Sequence, residues 1–167
     1  DNFRLVVDIR NIAGASNKTS SQGHGGIFWD QTIGENKTYV RTHSDHLNLY
    51  SIGAGETHAP ITTNNGDTIR YVLDVDYLSK ELDINAEVID GDILNIGNSA
   101  HISHSGSAFD TFVLNPNSGG SIGLLTWGDS VAFDNVTLYA VPEPISLTLF
   151  AAGLVGMGFT RRYQQQA

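Results

Sequence analysis

Several segments of this chain alternate apolar and polar residues with a period of two. Such alternation places one set of side chains on one face of a strand and the other set on the opposite face. It occurs in FRLVVDIR (3–10), RYVLDVDY (70–77) and LDINAEVIDGDIL (82–94), where the apolar sets are Phe3, Leu5, Val7 and Ile9; Tyr71, Leu73, Val75 and Tyr77; and Leu82, Ile84, Ala86 and Val88. Further strands are predicted in FDTFVL (109–114), SIGLLTW (121–127) and VAFDNVTLYAV (131–141), and YLSKELD (77–83) is long enough only for a helical turn.

Many short strands separated by Gly-rich turns are typical of an all-β fold. We predict an antiparallel, jelly-roll-like β-sandwich over residues 1–140, followed by a single C-terminal hydrophobic helix within residues 141–167. The first part is long enough to bury one hydrophobic core, and no internal repeat is visible.

Charge and cysteine content exclude several classes of function. The chain has 18 Asp and Glu against 9 Lys and Arg, a formal net charge of −9, and no basic cluster that could bind a polyanion, so we expect no nucleic-acid partner. It contains no cysteine. Disulfides, thiolate metal sites and cysteine nucleophiles are therefore excluded.

The C-terminal sequence VPEPISLTLFAAGLVGMGFTRRYQQQA contains an uncharged run from Ile145 to Phe159. The run has no polar stripe, so it predicts a short transmembrane helix over residues 145–160 in preference to a helix of the globular core. Arg161 and Arg162 follow it, as basic residues do on the cytoplasmic side of a span.

This arrangement resembles the PEP-CTERM sorting tail: Pro142, Glu143 and Pro144, an apolar helix, and then Arg161 and Arg162. The resemblance implies an exported, membrane-anchored precursor that an exosortase-type membrane protease processes, placing the product at the cell surface or in the extracellular matrix. The first residues lack a basic start and an apolar signal core. We therefore expect the sequence to begin at a mature N-terminus or within a longer chain.

The closing segment, FDTFVLNPNSGGSIGLLTWGDSVAFDNVTLYAVPEP, resembles the last strands of concanavalin-like and carbohydrate-module-like jelly rolls. In strand geometry Asp134 shares the apolar face of its strand, which predicts a carboxylate near the core that needs a partner. The resemblance implies that Asp134 helps to hold a structural calcium ion. Backbone N–H groups are the alternative partners.

Candidate catalytic groups are few. His43 and His46, and likewise His101 and His104, are spaced by three residues, which on a strand sends the two side chains to opposite faces. Asp74 and Asp76 share a strand face at about 7 Å, a separation that glycosidases use, but such a face is usually solvated. We predict no enzymatic activity.

Tryptophan suggests a different role. Trp29 follows a Gly-rich loop and is a candidate platform for a sugar ring, whereas Trp127 lies in an apolar run and is predicted to be core. The favoured hypothesis is a non-enzymatic surface or matrix module that binds an extracellular polysaccharide. A polysaccharide-acting jelly-roll enzyme and a purely structural matrix component remain as alternatives.

Overall fold

In the computed structural model, the described residues are 2–12, 25–29, 38–43, 45–51, 55–64, 66–90, 97–112, 122–126 and 130–140. They form ten strands and one short helix. In chain order these are β1 (Phe3–Ile12), β2 (Gly26–Trp29), β3 (Thr38–Thr42), β4 (His46–Ser51), β5 (Gly55–Pro60), β6 (Thr68–Asp76), β7 (Glu81–Asp90), β8 (Ser99–Ser105), α1 (Ser107–Phe112), β9 (Ile122–Leu125) and β10 (Ser130–Ala140).

The strands form two five-stranded sheets. Sheet A has the order β10-β1-β6-β7-β8, and sheet B has the order β5-β4-β3-β2-β9. Every pairing within them is antiparallel. The two sheets confirm the predicted all-β sandwich.

The hydrophobic core lies between the sheets and is built from alternate residues of each strand. Sheet A contributes the apolar sets that the alternation predicts, and sheet B contributes a matching set. The fully buried members are Val7, Ile9, Ile69, Tyr71, Leu73, Leu82, Ile84 and Ala86 from sheet A, and Ile27, Val40, Leu47 and Leu49 from sheet B.

Tyr71 joins the two sheets through a hydrogen bond. Its side chain is fully buried, and its hydroxyl donates to Oγ1 of Thr42 at 2.9 Å. Burial raises the pKa of the Tyr71 hydroxyl, so it remains a neutral donor. The bond gives the apolar interface a directional contact between β6 and β3.

The strand predicted over residues 109–114 is wrong, because residues 107–112 form helix α1. Phe109 and Phe112 are 3% and 6% exposed, and a spacing of three brings both onto one face of a helix, where they reach the core. The segment predicted to hold a helical turn forms the turn Tyr77–Lys80 between β6 and β7.

Strand β10 contains a bulge. Its register against β1 shifts by one residue between Val6 and Asp8. The extra residue is accommodated at Asn135, whose φ is +51°, a left-handed conformation that asparagine tolerates better than most residues.

The bulge reverses the faces of the strand. Phe133 pairs with Ile9 and packs against the core, whereas beyond the bulge it is Leu138 that pairs with the inward-facing Leu5. The prediction that Asp134 and Leu138 share an apolar, core-facing side is therefore wrong. Asp134 is exposed on the outer face of sheet A.

Within the described ranges, the helix present is neither long nor apolar enough to cross a membrane. The predicted span at 145–160 and the sorting motif from Pro142 to Arg162 lie outside those ranges. Both are inferred from the sequence alone.

Replacement of Asn135 tests the bulge. Asn135→Ala should lower the free energy of unfolding by about 2 kcal/mol, because it strains the left-handed position and removes a hydrogen bond to a carboxylate. Asn135→Gly relieves the strain and should lose about half as much. Urea unfolding measures both. Equal losses would show that backbone strain contributes nothing at this position.

Candidate functional site

A pocket of about 650 Å³ opens at one end of sheet A. At this end Phe3 pairs with both Ala140 and Val75, so the start of β1 and the ends of β10 and β6 are aligned. We call this end of the sheet, with the turn Tyr77–Lys80, the tail end, because the C-terminal segment leaves from Ala140. The pocket wall includes Tyr139, which is 51% exposed, and we call it the Tyr139 pocket.

An ion pair lines the Tyr139 pocket. Arg4, which pairs with Tyr139 across the strands, donates from Nε and Nη2 to the two carboxylate oxygens of Asp74, at 2.6 and 2.9 Å. This two-pronged geometry holds the guanidinium in one orientation. The pocket therefore combines an aromatic ring with a fixed, partly exposed charge pair.

Three more carboxylates line the pocket, on Asp76, Glu81 and Asp83. Oδ1 of Asp76 accepts hydrogen bonds from the backbone N–H groups of Leu78 and Ser79, and those from Ser79 are the main reason that the pKa of Asp76 lies below its usual value. Asp83 contacts a ring nitrogen of an exposed histidine, His101, at 3.1 Å.

A second ion pair anchors β10 to the outer face of sheet A. Nε and Nη2 of Arg70 donate to the two oxygens of the Asp8 carboxylate at 2.7 and 2.8 Å, and Asn135 Nδ2 donates to the same carboxylate at 2.7 Å. The Asp8 side chain is only 3% exposed. Its hydrogen bonds from Arg70 are the main reason that its pKa is lowered.

The pocket contains the two aspartates that the sequence singled out as a possible catalytic pair. The structure confirms that Asp74 and Asp76 share one strand face. However, Asp74 is held by Arg4, and the pKa of Asp76 is lowered, whereas a general acid needs a raised pKa. The pocket also holds polar groups and one exposed aromatic ring, and in ligand sites such polar groups fix the orientation of the ligand.

Trp29 is not a surface platform. It is 3% exposed in the core, and its indole Nε1 donates to the backbone carbonyl of Phe112 at 3.2 Å. The Gly-rich loop before it suggested display, but the alternation of β2 turns the ring inward beside Ile27. Trp127 lies outside the described residues.

Asp134 does not lie near the core. It is exposed, and its Oδ1 accepts the backbone N–H of Asn135 at 2.7 Å, which is the alternative partner expected from the sequence. Within the described ranges, no group of three or more His, Asp or Glu side chains is arranged to hold a metal ion. The calcium site thus stays a prediction.

The histidines behave differently from the sequence expectation in one case. His43 follows β3 and His46 begins β4, and the backbone N–H of His43 donates to the carbonyl of His46 at 2.7 Å. Their rings stack with the centroids 4.4 Å apart instead of pointing to opposite faces. His46 also contacts the ring of His58 at 4.4 Å. The strand argument does hold for His101 and His104, which lie on opposite faces of β8.

Sequence reasoning missed Tyr139, Arg4 and Arg70 as site residues. Tyr139 lies in a stretch of alternating residues, and because the sequence did not reveal the bulge, nothing marked its side chain as part of a site. Arg4 and Arg70 were visible only as polar members of their strands, and their carboxylate partners are about 70 and 60 residues away in sequence. Long-range pairing of this kind needs the sheet register.

Removal of Arg70 tests the anchoring ion pair. Arg70→Ala should lower the free energy of unfolding at pH 7 by about 2 kcal/mol, because it leaves a buried carboxylate undercompensated. A lowered pKa gives Asp8 a stabilising effect that is full above about pH 4 and is lost as the pH falls through the folded-state value. The gap between wild type and variant should therefore narrow in strong acid.

Urea unfolding at a series of pH values measures this gap. Arg4→Ala is the matched control, because its pair with Asp74 is more exposed and should contribute at most about 1 kcal/mol. A gap that stays constant down to the lowest pH would assign the stabilisation by Arg70 to the packing of its aliphatic stem.

Comparison with known proteins identifies a motif in the C-terminal segment. Residues 140–162 match the PEP-CTERM protein-sorting motif. The match begins at Ala140, the last residue of β10 and part of the wall of the Tyr139 pocket. The chain matches no curated protein. The predicted sorting motif is confirmed, and it marks an exported protein whose membrane-anchored precursor is processed by an exosortase.

Proposed function

We propose that this chain is an exported, non-enzymatic β-sandwich module that binds an uncharged extracellular polysaccharide in the Tyr139 pocket. The sorting motif at 140–162 supports export and processing. A jelly-roll-like sandwich of the kind found in carbohydrate modules suits the body. Release by the exosortase would leave the module at the cell surface or in the matrix.

The observation that carries this proposal is the exposed ring of Tyr139 beside a preorganised ion pair. A tyrosine ring offers an apolar face and a polar tip, which suits a sugar with its C–H faces and hydroxyls. Arg4 and Asp74 are held in place before a ligand arrives, so little ordering entropy is lost on binding.

Charge narrows the class of polysaccharide. Four carboxylates and one arginine line the pocket, and the whole chain carries a net charge of −9. Anionic polymers such as uronic-acid glycans are repelled by such a surface. Neutral glycans can use the carboxylates as hydrogen-bond acceptors for their hydroxyl groups.

Mutation of Tyr139 tests the pocket. Tyr139→Ala should reduce retention of the full chain on an insoluble neutral polysaccharide, such as cellulose or mannan, at least tenfold. The midpoint of thermal unfolding should hardly change, because the ring is half exposed. Leu138→Ala is the matched control, since it removes a similarly exposed side chain from the opposite face of the same strand.

Retention that is equal in both variants and in the wild type would overturn the Tyr139 pocket as the binding site. Alginate serves as the anionic polymer that should not be retained. Release of reducing sugar from a retained polysaccharide would support the alternative of a jelly-roll enzyme, and Asp74→Asn should then abolish it. A chain that binds none of these polymers would favour a purely structural matrix component.

The calcium ion implied at Asp134 is a separate proposal, and its remaining ligands would come from outside the described residues. Calcium in excess over EDTA should raise the midpoint of thermal unfolding of the wild type by several degrees and leave Asp134→Ala unchanged. Identical unfolding midpoints for the wild type with calcium and with EDTA would contradict the calcium proposal. They would have no bearing on the polysaccharide proposal.

A further inference from the structure

Strand β10 forms one edge of sheet A, and its outer edge is paired with no strand of the described ranges. The other edge strands are β8 in sheet A and β5 and β9 in sheet B. An edge strand presents a row of backbone N–H and C=O groups that can pair with another extended segment. Natural proteins protect such edges, so an edge that lacks protection is a candidate for pairing with another chain.

The other three edges are protected. Helix α1 and the strands β4 and β5 contact β8 and close that side of the sandwich. β5 carries the charged Glu56 and ends at Pro60, and both residue types discourage the addition of a strand. β9 has four residues, and so short an edge offers few groups for pairing.

The second half of β10 has none of these protections. We call residues 136–140 the edge run, and its sequence, VTLYA, contains no charged residue and no proline. Val136, Leu138 and Tyr139 are each more than half exposed. The register places Val136 and Leu138 on the inner side of sheet A and Tyr139 on the outer side. A strand added at this edge would pack against exposed side chains on both of its sides.

We propose that the edge run pairs with the same run of a second copy of this chain, so that two copies of sheet A join edge to edge around a two-fold axis. An antiparallel pairing centred on Leu138 sets this residue opposite its own copy, and it sets Val136 opposite Ala140. On the outer side Thr137 lies opposite Tyr139. The interface is isologous, because each copy contributes the same surface.

Charge favours a second copy as the partner. Each chain has a net charge of −9, so two copies repel one another unless the surface where they meet is uncharged. The edge run is such a surface. The closest carboxylate along β10 is that of Asp134, and in this pairing the two Asp134 residues lie roughly 25 Å apart along the strands. No like charges of the edge runs are therefore brought together.

The membrane anchor strengthens a contact that is weak by itself. Five paired residues form a small interface, in the class below about 1,200 Å² that gives transient complexes. The sorting motif begins at Ala140, and the uncharged run begins at Ile145, at most about 18 Å of extended chain further on. In the anchored precursor the edge runs of two copies thus meet at a high effective concentration in one bilayer. The pairing requires neither Arg4 nor Asp74, so it is independent of polysaccharide binding.

The chain contains no cysteine, so single cysteine substitutions report the pairing directly. The full chain is reconstituted into phosphatidylcholine vesicles at a high lipid-to-protein ratio and is oxidised with copper phenanthroline. The Cα atoms of directly opposed residues are about 4.5 to 5.5 Å apart, within the range that a disulfide spans. Leu138→Cys should therefore form at least tenfold more covalent dimer than Val136→Cys.

Val136→Cys and Ala140→Cys test the register. Each variant alone should cross-link poorly, because its two equivalent positions are about 14 Å apart along the paired strands. Vesicles that hold both variants should give at least fivefold more covalent dimer than either variant alone, since Val136 of one copy opposes Ala140 of the other. All of these changes affect exposed side chains, so circular dichroism and thermal unfolding should match the wild type.

Equal cross-linking in the three single variants would overturn the proposal. It would assign the contacts to random collision or to association of the apolar runs at 145–159. A folded Leu138→Cys variant that forms no covalent dimer would also overturn it, and would leave the edge of β10 to a different partner.

Charged variants provide a second measurement, by energy transfer between donor-labelled and acceptor-labelled copies in the same vesicles. Leu138→Lys places two ammonium groups opposite each other and should reduce the energy transfer at least threefold. Ser99→Lys, at an exposed position of β8, is the matched control and should leave it unchanged. A mixture of Leu138→Lys and Leu138→Glu should restore it, because opposite charges then meet. A loss that the mixture does not restore would contradict the pairing of Leu138 with its own copy.

Discussion

Because β10 carries an extra residue at Asn135, its two halves turn opposite sets of side chains to the inner side of sheet A, and the Tyr139 pocket depends on this reversal. Without the bulge, the ring of Tyr139 would point to the inner face and Leu138 would point outward. Asn135 holds the bulge in two ways, through its left-handed backbone and through its hydrogen bond to Asp8. A single asparagine therefore connects the position of the last strand to the chemistry of the outer face.

The outer face of sheet A is built from charges that are compensated in pairs. Arg70 neutralises the buried Asp8, and Arg4 neutralises the partly exposed Asp74. With 9 basic residues against 18 acidic ones, at least half of the carboxylates of the chain have no Lys or Arg to pair with one to one. Arg4 lies in β1, beside β10, and Arg70 lies in the next strand, β6. Three further carboxylates, on Asp76, Glu81 and Asp83, line the pocket.

The sequence predicted the sandwich well because alternation is a local signal that sheet packing then reinforces. Residues 3–10, 70–76 and 82–90 have the faces expected of them, since every inward residue there finds the core. Local alternation could not reveal the bulge, which depends on a hydrogen bond between Asn135 and Asp8, more than 120 residues apart. It also failed at Phe109 and Phe112, where a spacing of three can be met by a helix as well as by an irregular strand.

The site was harder to predict than the fold. Trp29 was predicted to be a sugar-binding platform from its neighbours in sequence. It is buried because the alternation of side chains along β2 points its ring into the core. The sorting motif, in contrast, is linear, and its recognition needed no tertiary structure. A linear motif that a partner recognises can be identified from the sequence. A site formed by side chains of several strands can be identified only when the register of those strands is known.

The pairing of β10 with β1 has a consequence for the order of events during biogenesis. The first and the last strands of the described fold are neighbours in sheet A, so closing that sheet joins parts of the chain separated by nearly its whole folded length. Contacts between residues so far apart in sequence form late and slowly, because a large loop of chain must close before the contacts stabilise the fold. Sheet A can be completed only after β10 has been synthesised, and the sorting motif begins at the last residue of that strand. The sorting motif is therefore synthesised directly after β10, the strand that completes sheet A.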